Sequence, residues 1–316
     1  MISHAALMGE SNNLSFKIAT RGSKLAIWQA RWVQKMIQEN NPSISVELLI
    51  FKTTGDKIID KPLSTIGGKG LFTKELEKAL LDGKADLAVH SMKDVTSILP
   101  RGLEISVIAK REDPFDAWIC PKFGSIEKFP KGGIVGTSSL RRQSQLKYFR
   151  PDLNFQVLRG NVQTRIRKLD EGEVQATILA EAGLKRINLQ DRITQILPID
   201  LMLPAIGQGA IGIQTRIGDE RIIDGIKHIN DRITWDCVTA ERSLLKNIEG
   251  NCQLPLAGYC IFSEGKLLLK ARIGDLEGKN LLFYEESSNL ENAKKLGENV
   301  SHYLLENGAE QILKNI

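Results

Sequence analysis

Between residues 134 and 187, short apolar runs alternate with polar turns and helical segments three times in succession. The predicted strands are 134–135, 155–158 and 176–179, and the predicted helices are 140–149, 162–169 and 182–187. The same order opens the chain, where the run 16–19 precedes an amphipathic helix and a second run at 46–51. Because parallel strands need a crossover connection, usually a helix, this pattern predicts parallel sheets covered by helices.

The chain has 316 residues, which is long enough for two or three domains with separate cores. A charged, proline-containing segment from Arg111 to Pro114 interrupts the strand pattern and predicts a crossing between domains. The segment 203–213 contains three glycines, which indicates a hinge or a close approach of the backbone to a ligand. The pattern beyond residue 256 predicts three strands and two helices, a small α+β domain.

Cysteine usage predicts a reducing compartment, either the cytoplasm or an equivalent organelle compartment. The four cysteines form no C-x-x-C pair and the four histidines are scattered, so we expect neither a disulfide framework nor a bound metal. No apolar run is long enough to span a membrane, and residues 1–14 lack the pattern of a secretory signal. We expect those first residues to be a flexible extension.

Positive charge is concentrated between Gly136 and Lys168. This window contains eight Arg or Lys residues and one Asp, a local charge of +7, whereas the whole chain carries +5. Salt bridges along helix faces would need nearby acids, and the window supplies only one. A local surplus of this kind indicates an anionic partner.

Two kinds of anionic partner can be weighed against each other. Nucleic acid is the less favoured, because no helix-turn-helix, RNA-recognition or zinc-finger pattern occurs and the overall charge is modest. The arginines fall at strand-to-helix turns, where a small ligand with several anionic groups fits better. Guanidinium groups pair with carboxylates and phosphates through two parallel hydrogen bonds.

A polar cluster follows the apolar run 87–89 and contains Ser91, Lys93 and Asp94. In open α/β sheets, ligands bind beyond the carboxyl ends of the strands, which is where this cluster is predicted to lie. An isolated Lys-Asp pair is usually a solvated loop. The cationic surplus elsewhere nevertheless makes Asp94 the one acid placed among many bases, and hence the candidate catalytic group.

Two loops contain further candidate residues. Gly67-Gly68-Lys69-Gly70 resembles a phosphate loop but lacks the Ser or Thr that must follow the lysine. The pattern leaves two interpretations open: a flexible Lys69 that reaches over a ligand, or simply a mobile loop. Cys252 lies in a polar stretch, and three roles remain open: an inert buried thiol, a functional exposed thiol, or a disulfide with Cys260. The flanking Gly, Asn and Pro favour the functional thiol.

Seven motifs, taken together and in order, resemble the porphobilinogen deaminase family, whose members are also called hydroxymethylbilane synthases. The motifs are ATRGS at 19–23, GGKGLF at 67–72, HSMKDV at 90–95, GTSSLRR at 136–142, RGNVQTR at 159–165, LPAIGQGA at 203–210 and GNCQ at 250–253. The resemblance extends from about residue 17 to beyond residue 259.

This resemblance implies an α/β fold of two lobes similar to periplasmic binding proteins, with mixed, mainly parallel sheets, and a small C-terminal α+β domain. The implied division is residues 1–14 as an extension, 15–111 with 205–229 as domain 1, 112–204 as domain 2 and 230–316 as domain 3. In this division, domain 1 carries Asp94, domain 2 is arginine-rich and domain 3 carries Cys252.

The resemblance also implies a cofactor and a reaction. Cys252 would hold a dipyrromethane through a thioether, and four porphobilinogens would be added to it head to tail, each with loss of ammonia. Water would then release hydroxymethylbilane, which would pass to a downstream uroporphyrinogen-III synthase. The implied protein is a monomer that binds neither nucleic acid nor membrane.

The family pattern assigns roles to residues of this chain. Asp94 would be catalytic, because a carboxylate can stabilise the azafulvenium cation left after ammonia departs and can move protons. The residues implied to bind the cofactor are Cys252, Lys93, Ser23, Thr137, Ser138, Ser139, Arg141, Arg142, Arg165 and Gln208. Those implied to bind substrate are Arg21, Arg159, Arg186, Lys69, Phe72 and Ser91.

Small departures from the family pattern occur at Thr96, Leu254 and Thr65, and only the last concerns a substrate contact, since some members have lysine there. One alternative function is a two-lobed anion-binding protein without catalysis, which would explain the arginines and the hinge. That alternative gives no role to Cys252 or Asp94.

Overall fold

The structure, a computed structural model, describes residues 14–57, 70–248 and 254–314. The strands are β1 (Ser15–Arg21), β2 (Ser45–Phe51), β3 (Leu87–Ser91), β4 (Leu103–Ile108), β5 (Asp116–Ile119), β6 (Ile134–Gly136), β7 (Asn154–Gln156), β8 (Ala176–Ala180), β9 (Gln195–Ile196), β10 (Ile211–Arg216), β11 (Leu256–Ser263), β12 (Lys266–Gly274) and β13 (Leu281–Ser288). The helices are α1 (Lys24–Asn40), α2 (Thr54–Lys57), α3 (Lys74–Leu81), α4 (Leu140–Phe149), α5 (Val162–Asp170), α6 (Glu181–Arg186), α7 (Glu220–Ile226), α8 (Arg232–Asn247), α9 (Ala293–Leu304) and α10 (Glu310–Lys314).

Two five-stranded mixed sheets form the cores of two lobes. Lobe 1 has the strand order β2-β1-β3-β10-β4, in which β1 runs parallel to β2 and β3, and β10 runs antiparallel to its neighbours. Lobe 2 has the order β7-β6-β8-β5-β9, in which β6 runs parallel to β7 and β8, and β5 runs antiparallel to its neighbours. In each sheet, the antiparallel strand next to the parallel set is one that the chain enters after crossing from the other lobe.

The two crossing segments touch each other. Gly207 and Gly209 both have positive φ, 70° and 88°, and the absence of side chains permits close contact. A Cβ at Gly207 would lie 2.8 Å from the Cβ of Met92, and one at Gly209 would overlap the carbonyl oxygen of Glu112. The predicted close approach is therefore made by the chain to itself. From Ile211 onward this segment is an ordinary strand, contrary to the sequence-based interpretation.

The third sheet is antiparallel, β11-β12-β13, and packs against α8 and α9. A buried ion pair joins this part to the crossings, because Arg111 Nη1 lies 2.6 Å from Oε1 of the fully buried Glu241. The other carboxylate oxygen of Glu241 accepts from the backbone N–H of Gly207 at 2.7 Å, and Oε1 also accepts from that of Cys260 at 2.8 Å. One carboxylate thus holds three segments together.

These sheets confirm the predicted fold class of two mixed-sheet α/β lobes with a small C-terminal α+β part. The predicted domain boundaries stay a prediction, and residues 1–13 of the predicted extension lie outside the described residues. Among the described residues, no helix is long and apolar enough to cross a membrane.

Candidate functional site

The carboxyl ends of the parallel strands place the predicted polar residues at the edges of the two lobes. In lobe 1 these ends are Arg21, the last residue of β1, and the short 3₁₀ turn Met92–Asp94 after β3. In lobe 2, the turns after β6 and β7 precede α4 and α5. The two edges face each other, because one cavity is lined by Gly22, Ser23 and Lys24 of lobe 1 and by residues 161–167 of lobe 2, including Asn161 and Thr164.

Asp94 lies at the end of its turn and is about one-third exposed. Its Oδ2 is 4.0 Å from Nη1 of Arg21, and the side chain of Arg21 is mostly buried. The Arg21 guanidinium also lies over the ring of Phe72, 4.2 Å from the ring centroid. Arg21 therefore contacts two other predicted residues, Asp94 and Phe72, and the carboxylate of Asp94 retains exposed surface for a ligand.

Lys93 lies beside Asp94 and is half-buried. Burial, together with the positive charge of Arg142, lowers the pKa of Lys93 to about 8, a change that the carboxylates of Asp94 and Asp116 partly oppose. A ligand carboxylate placed beside Lys93 would favour the protonated, positively charged form of this side chain. The position suits the predicted role of Lys93 in holding the cofactor.

Arg141 and Arg142 converge on Asp116, a fully buried carboxylate at the start of β5. Arg141 Nη1 donates to Asp116 Oδ2 at 2.7 Å, while Nε and Nη2 of Arg142 donate to Oδ1 at 3.0 and 2.7 Å. Burial disfavours the charged carboxylate, but the two guanidiniums hold the pKa of Asp116 well below its usual range. One of the two positive charges is thus neutralised within the protein, and the other is left for a ligand.

Sequence reasoning missed this pairing. Asp116 lies outside the arginine-rich window, twenty residues before Gly136, where the strand pattern resumes after the crossing. The available signal was an acid, Asp116, at the start of a short apolar strand. A buried charge is almost always paired, so this acid indicated a cationic partner.

The remaining predicted arginines line the same cleft. The Nε of Arg165 donates to the carbonyl of Gly160 at 2.9 Å, and burial lowers the pKa of Arg165 to about 10, helped by the positive charge of Arg142. Arg159 is buried, which lowers its pKa. Desolvated guanidiniums of this kind favour an anion that restores their lost interactions with water.

Arg186 connects the lobes. Its Nη2 donates to the carbonyl of Gly209 at 2.6 Å, and its guanidinium lies 5.7 Å from the ring centroid of Trp28 in α1 of lobe 1. Burial lowers the pKa of Arg186 to about 10. The structure therefore places this residue at the contact between lobe 2, the hinge and α1, and the Trp28 contact was not predicted.

The predicted hydroxyl residues cap helices and turns. Ser23 Oγ accepts from the N–H of Ala26 at the start of α1, and Ser139 Oγ accepts from that of Arg142 at the start of α4. These oxygens accept, so their O–H protons can be donated to a ligand. Thr137 likewise accepts from the N–H of Ser139 at 3.1 Å, whereas Ser138 donates its proton to the carbonyl of Leu158 at 2.8 Å.

Of the remaining predicted residues, Ser91 is described by the structure, whereas two others are not. The side chain of Ser91, at the end of β3, faces α1, where Gln29 Nε2 donates to Ser91 Oγ at 2.8 Å. Lys69 and Cys252 lie outside the described residues. Among those that are described, no group of three His, Cys, Asp or Glu side chains could hold a metal ion.

Gln208 provides a test of whether these residues fit an oligopyrrole. Its Nε2 donates to the carbonyl of Pro114 at 2.6 Å and to Asp116 Oδ1 at 3.2 Å, which fixes the orientation of the amide. Its Oε1 is buried and, among the described residues, has no hydrogen-bond partner. A pyrrole N–H would satisfy this acceptor, and the surrounding arginines would satisfy acetate and propionate arms. The residues present therefore fit a dipyrromethane.

His90, buried beneath the site in β3, gives a prediction on pH. Burial lowers the pKa of His90 to about 4, although a hydrogen bond to Gln214 Oε1 at 2.9 Å opposes this change. Between pH 6.5 and 4 the unfolded chain therefore binds the proton more tightly, and stability falls as pH falls. We expect a loss of about 2 kcal/mol from this group between pH 7 and pH 5.

The measurement compares urea unfolding at pH 7 and pH 5 for the native chain and His90→Gln. The substitution should remove about 2 kcal/mol of the pH dependence, whereas His302→Gln, at an exposed position of α9, should leave it unchanged. Equal pH dependence in the native chain and His90→Gln would contradict the assignment.

Comparisons with known proteins agree on one family. The family model for "Porphobilinogen deaminase, dipyromethane cofactor binding domain" matches residues 16–224, and that for "Porphobilinogen deaminase, C-terminal domain" matches residues 235–306. The curated porphobilinogen deaminase of Syntrophotalea carbinolica is 46% identical over 299 residues, which cover 95% of each chain.

Solved structures with similar coordinates include the periplasmic VFT2 domain of Bordetella pertussis BvgS. That domain is 15% identical with a TM-score of 0.42, over 68% of this chain and 86% of the domain. Another is a TRAP periplasmic solute binding protein from Desulfovibrio salexigens, 10% identical with a TM-score of 0.41, over 69% of this chain and 72% of that protein.

Proposed function

Because the chain belongs to the porphobilinogen deaminase family, we propose that the facing edges of its two lobes hold the carboxylates of a dipyrromethane and of the pyrroles added to it. The observation that carries this proposal is the position of Asp94, a partly exposed acid 4.0 Å from Arg21 in a cleft otherwise rich in arginine. A purely anion-binding cleft would have no use for that carboxylate.

The chain is a transferase that carries out the porphobilinogen deaminase reaction, with porphobilinogen as substrate and dipyrromethane as cofactor. The bound dipyrromethane supplies the nucleophilic pyrrole carbon to which four porphobilinogens are joined head to tail, each with loss of ammonia. The alternative of a non-catalytic anion-binding protein is not favoured.

Within this reaction we assign the central role to Asp94. Loss of ammonia leaves a cation spread through the pyrrole ring, and a carboxylate beside it lowers the energy of that state. Asp94 would also accept the proton that is lost when the ring regains aromaticity. Arg21, which lies against Asp94 and Phe72, would fix the carboxylate and bind a substrate carboxylate.

Negative charge grows with every pyrrole added, since each carries an acetate and a propionate. Arg159, Arg165 and Arg186 are the desolvated arginines that would neutralise it. Ser23, Thr137 and Ser139 would add neutral hydrogen bonds. We further propose that Cys252 is the attachment point and that Lys69 reaches over the substrate, on the strength of the family motifs alone.

Other features belong to the same proposal. The described cysteines Cys120, Cys237 and Cys260 are free and buried, which supports a reducing compartment such as the cytoplasm. We propose that the protein acts as a monomer and passes hydroxymethylbilane to a downstream uroporphyrinogen-III synthase. The proposed domains are 15–111 with 205–229, 112–204 and 230–316.

The intact mass of the purified chain tests the proposal. We expect an excess equal to two porphobilinogens less two ammonia molecules, located on the peptide that contains Cys252. Cys252→Ala should lack this excess, whereas Cys120→Ala, at a buried position of lobe 2, should retain it. An unmodified native chain, or an excess that persists in Cys252→Ala, would refute the attachment.

A further inference from the structure

A second cavity is lined by Met92, from the turn that carries Asp94, and by residues of β4, α8 and α9. It has a volume of about 330 Å³ and separates lobe 1 from α8 and α9. One part of its lining, here called the apolar wall, consists of Met92, Leu99, Ile105, Ile108 and Trp235, and the rest of the lining is polar or charged. The proposed function assigns no role to this cavity.

The rim of the cavity is cationic. Lys246 of α8 and Lys294 of α9 are exposed at its mouth, and Arg242 lies between them and the turn. The one acid of the lining, Glu298, lies 3.5 Å from Lys295 outside it, which balances its charge. In the described part of the chain, neither Lys246 nor Lys294 forms an ion pair. The cavity therefore combines an apolar wall with a local surplus of positive charge.

Residues of the cavity lining contact the chain both before and after Asp94. Met92 is the first residue of the 3₁₀ turn that ends at Asp94, and its side chain packs directly against Gly212 of β10. On the other side, Arg242 donates to the carbonyls of Val95 at 3.3 Å and Thr96 at 2.8 Å. A molecule in the cavity would contact Met92 and Arg242 together.

We propose that this cavity binds a small ring-bearing carboxylate and that its occupancy changes turnover by shifting the turn that carries Asp94. The ring would lie against Trp235 and the apolar wall, and the carboxylate would lie between Lys246 and Lys294. Ligand pockets span about 300–1,000 Å³, so this cavity suits one or two fused rings and excludes a tetrapyrrole. The effect on turnover rests on the proposed function, whereas the binding does not.

The binding test uses 2-naphthoate and isothermal titration calorimetry on the full-length, cofactor-loaded chain. We expect one saturable site, weakened about tenfold when Lys246→Gln and Lys294→Gln are combined. The neutral isostere 2-naphthamide should bind the native chain about as weakly as 2-naphthoate binds the Lys246/Lys294 variant. A matched pair of exposed lysines in the same part of the chain, Lys266→Gln with Lys279→Gln, should leave binding unchanged. No saturable binding at millimolar concentrations, or equal affinity for the Lys246/Lys294 variant, would overturn the proposal.

The coupling test measures initial rates of hydroxymethylbilane formation with and without saturating 2-naphthoate. We expect kcat to change by about fivefold or more with the KM for porphobilinogen unchanged, and the effect to disappear in the Lys246/Lys294 variant at the same concentration. A rise in KM alone would place 2-naphthoate in the cleft between the lobes, and an unchanged kcat would refute the coupling. Product formation without 2-naphthoate tests the proposed function separately.

Discussion

Replacing Asp94 by Asn should lower turnover by about 10²–10⁴-fold while leaving the fold and the retained dipyrromethane intact. Asn has nearly the same shape as Asp, so the 3₁₀ turn Met92–Asp94 is preserved. The substitution removes the negative charge that faces the developing cation and the group that accepts its proton. Arg21, 4.0 Å away, loses its carboxylate partner but keeps its contact with Phe72.

The measurement is the rate of hydroxymethylbilane formation at saturating porphobilinogen, together with the intact mass of the variant. Asp82→Asn provides the control, because Asp82 is an exposed acid of the same lobe at the end of α3. That control should keep native turnover. Near-native activity of Asp94→Asn would exclude the catalytic role, and loss of the dipyrromethane mass would show that Asp94 serves the cofactor instead.

Replacing Glu241 by Gln should lower the free energy of unfolding by about 3–5 kcal/mol. Glu241 is fully buried, and its two oxygens accept hydrogen bonds from Nη1 and Nη2 of Arg111 at 2.6 and 3.0 Å. The substitution leaves the Arg111 charge buried without its counter-charge. It also replaces one of the two acceptor oxygens by an NH2 donor, so either Gly207 N–H or Cys260 N–H loses its acceptor, and the hinge and the C-terminal sheet lose a shared anchor.

Urea unfolding followed by far-ultraviolet circular dichroism measures this effect. Glu310→Gln is the control, because Glu310 forms an exposed i,i+4 pair with Lys314 that contributes at most about 1 kcal/mol. The double replacement Arg111→Met with Glu241→Met should recover part of the loss, since no unpaired charge remains. A loss below about 1 kcal/mol for Glu241→Gln would contradict the importance of the buried pair.

The parallel parts of both sheets could be predicted from the sequence, because they arise from local alternation of strands and helices. The position of β10 could not be predicted in the same way. Gly212 made this segment resemble a hinge, whereas the glycine is needed because the Met92 side chain, 120 residues earlier in the chain, occupies the space beside it. A packing requirement between distant residues leaves no periodic signal.

In the candidate site, too, some features could be predicted from the sequence and others could not. The strand pattern predicted that Asp94 and the arginines of the window 136–168 lie at strand ends, where ligands bind in open α/β sheets. The family resemblance, rather than the strand pattern, indicated that Arg21, Asp94 and Arg165 serve one site. The Asp116 pairing with Arg141 and Arg142 was missed, since it depends on β5 entering lobe 2 beside β8. Sequence thus indicated which side chains gather, but not which of their charges the protein itself neutralises.

The order in which the strands of lobe 1 are joined has a consequence for biosynthesis. β10 lies between β3 and β4, yet a ribosome finishes all of lobe 2 before it makes β10. Lobe 2 is contiguous in sequence and has all its strands as soon as β9 emerges. The strand that leads into Asp94 therefore receives its last neighbour late, and a nascent chain has a complete arginine-bearing lobe before it has a finished catalytic one.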